Sequence, residues 1–213
     1  MPNWTTTTLR LSGERTAMQP VLDAIATDDP GVPVFDFDKI LPIPDELKHT
    51  SSGVRIDPDQ QVPVECRPDH LTGKRTAHTI SIEENERRMQ AYGANTWYLW
   101  AQNNWGTYQN ASSVEIAEDI SDDPDHPEVI VTFQTPWNAP ASLIRALRER
   151  GIEVVGGCIH EDGSQFENLS DPEEMFHQHF RVVPETTTEE YEHDGEYHTV
   201  DHTWNRIEPL IHS

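Results

Sequence analysis

Residues 129–160 read VIVTFQTPWNAPASLIRALRERGIEVVGGCIH, and this stretch decides the fold. Val129, Ile130, Val131 and Phe133 are an apolar, β-branched run that predicts a strand. Pro136, Trp137 and Pro140 interrupt it, and Asn138 stands where a helix N-cap is expected. Ala141, Leu143, Ile144 and Leu147 recur at helical spacing and form the inward face of a helix. Gly151 closes that helix in the left-handed conformation that a residue with a Cβ adopts reluctantly. Ile152 to Ile159 then return as a strand, which the Asp162-Gly163-Ser164 turn pairs with Gln165 to Leu169.

Upstream, Val114, Ile116 and Ile120 alternate with polar residues, and the Asp122-Asp123-Pro124-Asp125 turn joins them to the strand at 129 as an antiparallel hairpin. At the N-terminus, residues 4–12 (WTTTTLRLS) predict another strand, with Leu9 and Leu11 on one face. Gly13 breaks it, and Met18, Val21, Leu22 and Ile25 mark a helix between Glu14 and Thr27. Pro20 is tolerated only in a first turn, so the regular helix is expected to start late. With residues 28–112 set aside, the order is strand, helix, strand, strand, helix, strand. That order predicts an α+β protein of the ferredoxin-like class, a split β-α-β antiparallel sheet with both helices on one face.

Residues 28–112 are then a large insertion, packed on the sheet or its edge. Within it, Phe35 and Phe37 alternate with Asp36 and Asp38 as a short strand, and Ile40 to Pro44 must be extended. Residues 48–79, rich in Pro, Gly, Thr and Asp, are expected to be an irregular loop. Ile82 to Tyr92 and Thr96 to Trp105 predict helices, the second aromatic through Trp97 and Trp100. Residues 1–170 thus form a ferredoxin-like domain, and residues 171–213 an acidic, His-rich C-terminal extension. Its segments around Phe180-Arg181-Val182-Val183 and Tyr191 to Trp204 are expected to add edge strands.

Several motifs occur in a fixed order along this frame. They are Met1-Pro2-Asn3-Trp4, then Phe35-x-Phe37-x-x-Ile40-x-Pro42-x-Pro44-x-Glu46-Leu47, then Asn104-Trp105-Gly106-Thr107 with Asn110-Ala111. Thr135-x-Trp137-x-x-Pro140 and Glu161-x-Gly163-x-x-Phe166 follow. In these the chain resembles the YubB ferredoxin-like family of phage and conjugative-plasmid proteins, whose function is unassigned. Thr5 departs from the Cys that usually follows the Trp in that family. The resemblance covers roughly residues 1–170, implies the fold and a mobile-element origin, and supplies no catalytic residues.

The charge is the second signal. The chain holds 38 acids and 15 bases, a net charge of −23. Residues 1–110 carry 15 acids and 10 bases, whereas residues 111–213 carry 23 acids and 5 bases. Such a field repels phosphate backbones and anionic lipid, so direct nucleic-acid binding and membrane association are not expected. No apolar run approaches the ~20 residues of a membrane span. The first residues lack the layout of a signal peptide, so a location in the host cell cytoplasm is expected. Three readings of the acidity compete: solubility or salt adaptation, a disordered tail over 184–201, and a surface imitating nucleic acid.

The last reading assigns protein binding to Glu115, Glu118, Asp119, Asp122, Asp123, Asp125 and Glu128, presented to a host protein with a basic surface. Its alternative is an enzyme or small-ligand-binding protein using a pocket between the insertion and the sheet. Trp97, Tyr98, Trp100, Trp105 and Tyr108 are expected to pack a core rather than stack bases, because residues 89–144 hold no Lys or Arg. His193, His198 and His202, with His177 and His179, match no zinc spacing. Cys66 with Asp69 and His70 lacks a supporting nucleophile motif, and Cys66 and Cys158 are expected to be idle thiols. No catalytic residue, cofactor or metal is expected.

Overall fold

The computed structural model describes residues 3–27, 32–59, 61–68, 74–117, 123–161, 163, 165–171, 174–193 and 196–210. In chain order it holds β1 (Trp4–Ser12), α1 (Arg15–Ile25), α2 (Phe37–Ile40), α3 (Asp45–Lys48), β2 (Val54–Ile56), β3 (Pro63–Pro68) and β4 (Arg75–Thr79). There follow α4 (Ile82–Tyr92), α5 (Trp97–Asn104), β5 (Ser112–Ala117), β6 (Glu128–Pro136), α6 (Ala141–Glu149), β7 (Glu153–His160) and β8 (Phe166–Asn168). The chain ends with α7 (Glu174–His179), β9 (Phe180–His193) and β10 (Glu196–Pro209).

The protein is mixed α+β, built on a five-stranded sheet of order β5-β6-β1-β7-β8 in which every neighbouring pair is antiparallel. Because side chains alternate along a strand, register decides what each face carries. Thr7 of β1 lies opposite Phe133 of β6 and Cys158 of β7, and Leu9 lies opposite Val131 and Gly156. One face therefore gathers Leu9, Leu11, Val131, Phe133 and Val154, covered by Met18, Val21 and Ala24 of α1 and Leu143, Ile144 and Leu147 of α6.

The insertion completes this core rather than lying outside it. Phe35, Phe37, Ile40, Trp100 and Trp105 are all buried in it. Phe37 meets Phe133 edge-on at 5.6 Å and Trp105 at 5.7 Å, the geometry favoured by ring quadrupoles. Trp105 and Trp100 are thus core residues, as expected.

Four local expectations are corrected. Phe35 to Asp38 are not a strand: Asp36 accepts the Asp38 N–H at 3.0 Å and caps α2, while Phe35 and Phe37 both still reach the core. The helix α1 does not start late but at Arg15, with Pro20 inside it; burial of Met18, Val21 and Ala24 outweighs the hydrogen bond that Pro20 removes. Asn138 is not the cap of α6. Pro140 holds that position, and the Leu143 N–H in the first turn donates instead to the Trp105 carbonyl of the insertion, at 3.2 Å. Residues 48–79 are not irregular throughout, for β2, β3 and β4 pair antiparallel as a small sheet. Gly151 does adopt the expected left-handed conformation, at φ 84°.

The fifth correction concerns the C-terminal extension. Among the described residues its strands β9 and β10 pair with each other as a two-stranded antiparallel sheet, separate from the edge of the main sheet and in place of a disordered tail. The base of this hairpin and α7 lie on the second face of the sheet. There Phe176, Phe180 and Ile207 bury Ile130, Val155 and Ile159. The cause lies in β7, whose residues are buried on both faces, so one layer of helices leaves half of it uncovered.

Candidate functional site

Four of the seven acids assigned to partner binding fall among the described residues; Glu118, Asp119 and Asp122 lie outside them. Glu128 opens β6 and is ion-paired to Arg10, which also reaches Glu153 at 2.8 Å. Burial opposes the charge on Arg10, but the two carboxylates together outweigh it and raise its pKa. Asp123 is a turn-forming residue: its side chain accepts the Asp125 N–H at 2.9 Å, which with His126 draws its pKa down. The Asp125 carbonyl accepts the Arg15 N–H at 2.9 Å, joining this turn to the start of α1. Glu115 and Asp125 are the two of the four that are exposed with no ion pair among the described residues. Exposed carboxylates also stand at Asp45, Glu83, Glu149 and Glu153, so the acidity of the described residues is spread over several elements.

Glu115 lies at the mouth of a cleft of about 680 Å³ between the second sheet face and β10. Thr6, Thr8, Thr132 and Gln134 form its polar floor, with Thr8 and Thr132 hydroxyls 3.1 Å apart. Asn205, Arg206 and Glu208 of β10 form one wall, and Glu161 part of the rim. Asn205 fixes that wall by donating to the Gly163 carbonyl at 2.6 Å. Arg206 is held by Glu185 at 2.8 Å and by Glu208, whose pKa is lowered first by Arg181 and further by Arg206. The cleft's one arginine is therefore already neutralised.

A second cavity of about 680 Å³ lies where the alternative reading placed one, between the insertion and β5. Lys39, Asn110 and Asp36 in its lining are committed to the fold. Lys39 Nζ donates to the Asp23 and Ala26 carbonyls at 2.9 and 3.0 Å, and Asn110 donates to Asp36 at 2.6 Å.

A third constellation was not legible as a site in the sequence. Cys158 and His160, two apart on β7, share the helix-covered face with Glu167 of β8, which lies opposite Cys158. One ligand atom from each lies within 4.8 Å of the other two, and Cys158 Sγ is 3.7 Å from Glu167 Oε2. Cys158 is buried, His160 half-buried and Glu167 exposed. Burial, then the Glu167 carboxylate, pushes the Cys158 thiol up to about 12. On the other side, Thr5 lies opposite His160 and Thr7 opposite Cys158. The usable signal was Cys158-x-His160 on a strand with an acid across the following turn.

Both cysteines are free thiols. Cys66 sits half-buried on β3, and Asp69 and His70 lie outside the described residues. So do the side chains of His193, His198 and His202. Among the described residues no helix is long and apolar enough to cross a membrane. No protein-family model, curated protein or solved structure matches this chain.

Proposed function

We propose that this chain is a non-enzymatic accessory protein of a phage or other mobile element that binds a host protein through an acidic, nucleic-acid-mimicking surface. The order β5-β6-β1-β7, with α1 and α6 on one face, supports reading the core as ferredoxin-like. The motif resemblance to the YubB ferredoxin-like family supports the origin.

The observation that carries the binding reading is the fate of the cations. Arg10, Lys48, Arg67, Arg87, Arg88, Arg181 and Arg206 all pair with carboxylates of the same chain, several with two. The surplus of acids is left to act on a partner, and Glu115 presents one at the mouth of a cleft wide enough for a side chain or loop. A groove that ordinarily holds nucleic acid is cationic and fits such a surface, so a nucleic-acid-binding or defence protein of the host is the target class. Attraction of this kind speeds encounter and fades once salt shortens the screening length below about 8 Å.

A pull-down from host lysate, at low and at high salt, tests the proposal. The expected catch is a basic, nucleic-acid-binding protein retained only at low salt and retained less by the Glu115→Lys variant. Failure to retain any basic protein at low salt overturns the reading, and so does retention that Glu115→Lys leaves unchanged.

A further inference from the structure

We propose that Cys158, His160 and Glu167 bind a single divalent transition-metal ion of the Zn²⁺ type, with a water as the fourth ligand. The three side chains come from adjacent strands, so the backbone ladder rather than a loop sets their separation. A tetrahedral zinc with one sulfur and two N/O ligands requires ligand atoms roughly 3.3–3.6 Å apart. The 3.7 Å between Cys158 Sγ and Glu167 Oε2 is close to that, and all three ligand atoms lie within 4.8 Å. The incoming ion displaces the Cys158 thiol proton to solvent, and the resulting thiolate with the Glu167 carboxylate carries two negative charges, which one divalent ion cancels. The mixture of sulfur, imidazole and carboxylate suits zinc, cobalt or iron rather than calcium or magnesium.

Two further observations point to a ligand here. The Thr5 hydroxyl has one proton and stands 3.0 Å from the Trp137 carbonyl, which can only accept it. Toward His160 Nδ1, at 3.3 Å, Thr5 is then the acceptor, so Nδ1 carries the imidazole proton and Nε2 keeps its lone pair. That is the arrangement by which an outer hydrogen bond prepares a histidine for a metal. Thr7, opposite Cys158 on the same face, is fully buried, yet its hydroxyl has no hydrogen-bond partner among the described residues. Such an orphan is rare enough to require a cause, and a metal-bound water supplies one. The exposed edge at Glu167 gives an ion its entry path.

The test is to strip the full chain with chelator and titrate it with Co²⁺ alone, following absorbance. One equivalent should give a thiolate-to-cobalt charge-transfer band with visible bands of four-coordinate intensity. Cys158→Ser should abolish the charge-transfer band. Glu167→Gln, at an exposed position that threatens folding least, should keep the band but weaken affinity about tenfold or more. Thr7→Val should leave the metal-free protein at least as stable, since it removes an unsatisfied hydroxyl, while lowering cobalt affinity. The proposal is overturned if no thiolate band forms, if it survives Cys158→Ser, or if Cys66→Ser alone removes it. Affinity unchanged in Glu167→Gln that still folds by circular dichroism would sink the assignment of that ligand and of the site as drawn.

Discussion

The side-chain carbonyl of Asn110 accepts the backbone N–H of Phe37 at 2.8 Å, across 73 residues of sequence. The same amide accepts the Ala111 N–H at 3.0 Å and donates to Asp36 at 2.6 Å, so one side chain closes the insertion where it leaves and re-enters the core. Phe37 is thereby held against Phe133 and Trp105.

Asn110→Ala should destabilise the protein by about 2–3 kcal/mol, from three lost hydrogen bonds and a loosened Phe37. Asn110→Asp should also destabilise, because it keeps the acceptor but places a second carboxylate against Asp36. Urea denaturation of the three proteins checks both; equal midpoints would show that the insertion is closed by its apolar contacts alone.

Gly106 has φ 90°, and a Cβ there would stand 2.9 Å from the Ala141 nitrogen and 3.2 Å from that of Ser142. This close approach lets the Trp105 carbonyl receive the Leu143 N–H, supplying from the insertion the cap that α6 lacks in its own side chains. Gly106→Ala is expected to cost about 2–4 kcal/mol, combining backbone strain with displacement of α6. A thermal melt that shifts no more than that of an exposed Gly53→Ala control would contradict this role.

Glu65 is fully buried and accepts the Ser51 N–H at 2.9 Å, while Arg67 and Arg88 lie 3.0 and 3.5 Å from its other oxygen. It ties β3 to α4. Arg88→Met should cost about 3 kcal/mol by leaving a buried charge short of a partner. In the double variant with Glu65→Gln, which keeps an acceptor for Ser51, the loss should be smaller than the sum of the single losses. Strict additivity in a double-mutant cycle would deny the coupling.

His126 lies 2.8 Å from Glu14 and 3.3 Å from Asp123, and these carboxylates, Glu14 first, raise its pKa above the ordinary value. A raised folded-state pKa means that its contribution is complete below about pH 6.5 and disappears as pH rises through the folded value. Melting temperature should therefore fall slightly from pH 6 to pH 8 by a component that His126→Gln removes. Because the pair is exposed, added salt should shrink that component too. A pH profile identical in both proteins would show that the turn at 123–126 gains nothing from the imidazolium.

The sequence by itself determined the elements whose signals are local. The apolar alternation of β1, the helical spacing in α1 and α6, and Gly151 all follow from residues within one turn or two of each other. The small sheet of the insertion left no such trace, because β4 is exposed along its length and is held by backbone pairing rather than an apolar face. The four-residue α2 was hidden because Phe35 and Phe37 fit a strand pattern as well as they fit a capped turn.

Only the tertiary structure decided what covers the second face of the sheet. The strand from Val154 to Ile159 is buried on both sides, and which segment supplies the second layer was a matter of long-range packing by Phe176, Phe180 and Ile207. Register likewise set Glu167 opposite Cys158 and Thr5 opposite His160. A shift of one residue in either pairing would send half of that group to the other face, and no local signal fixes such a shift.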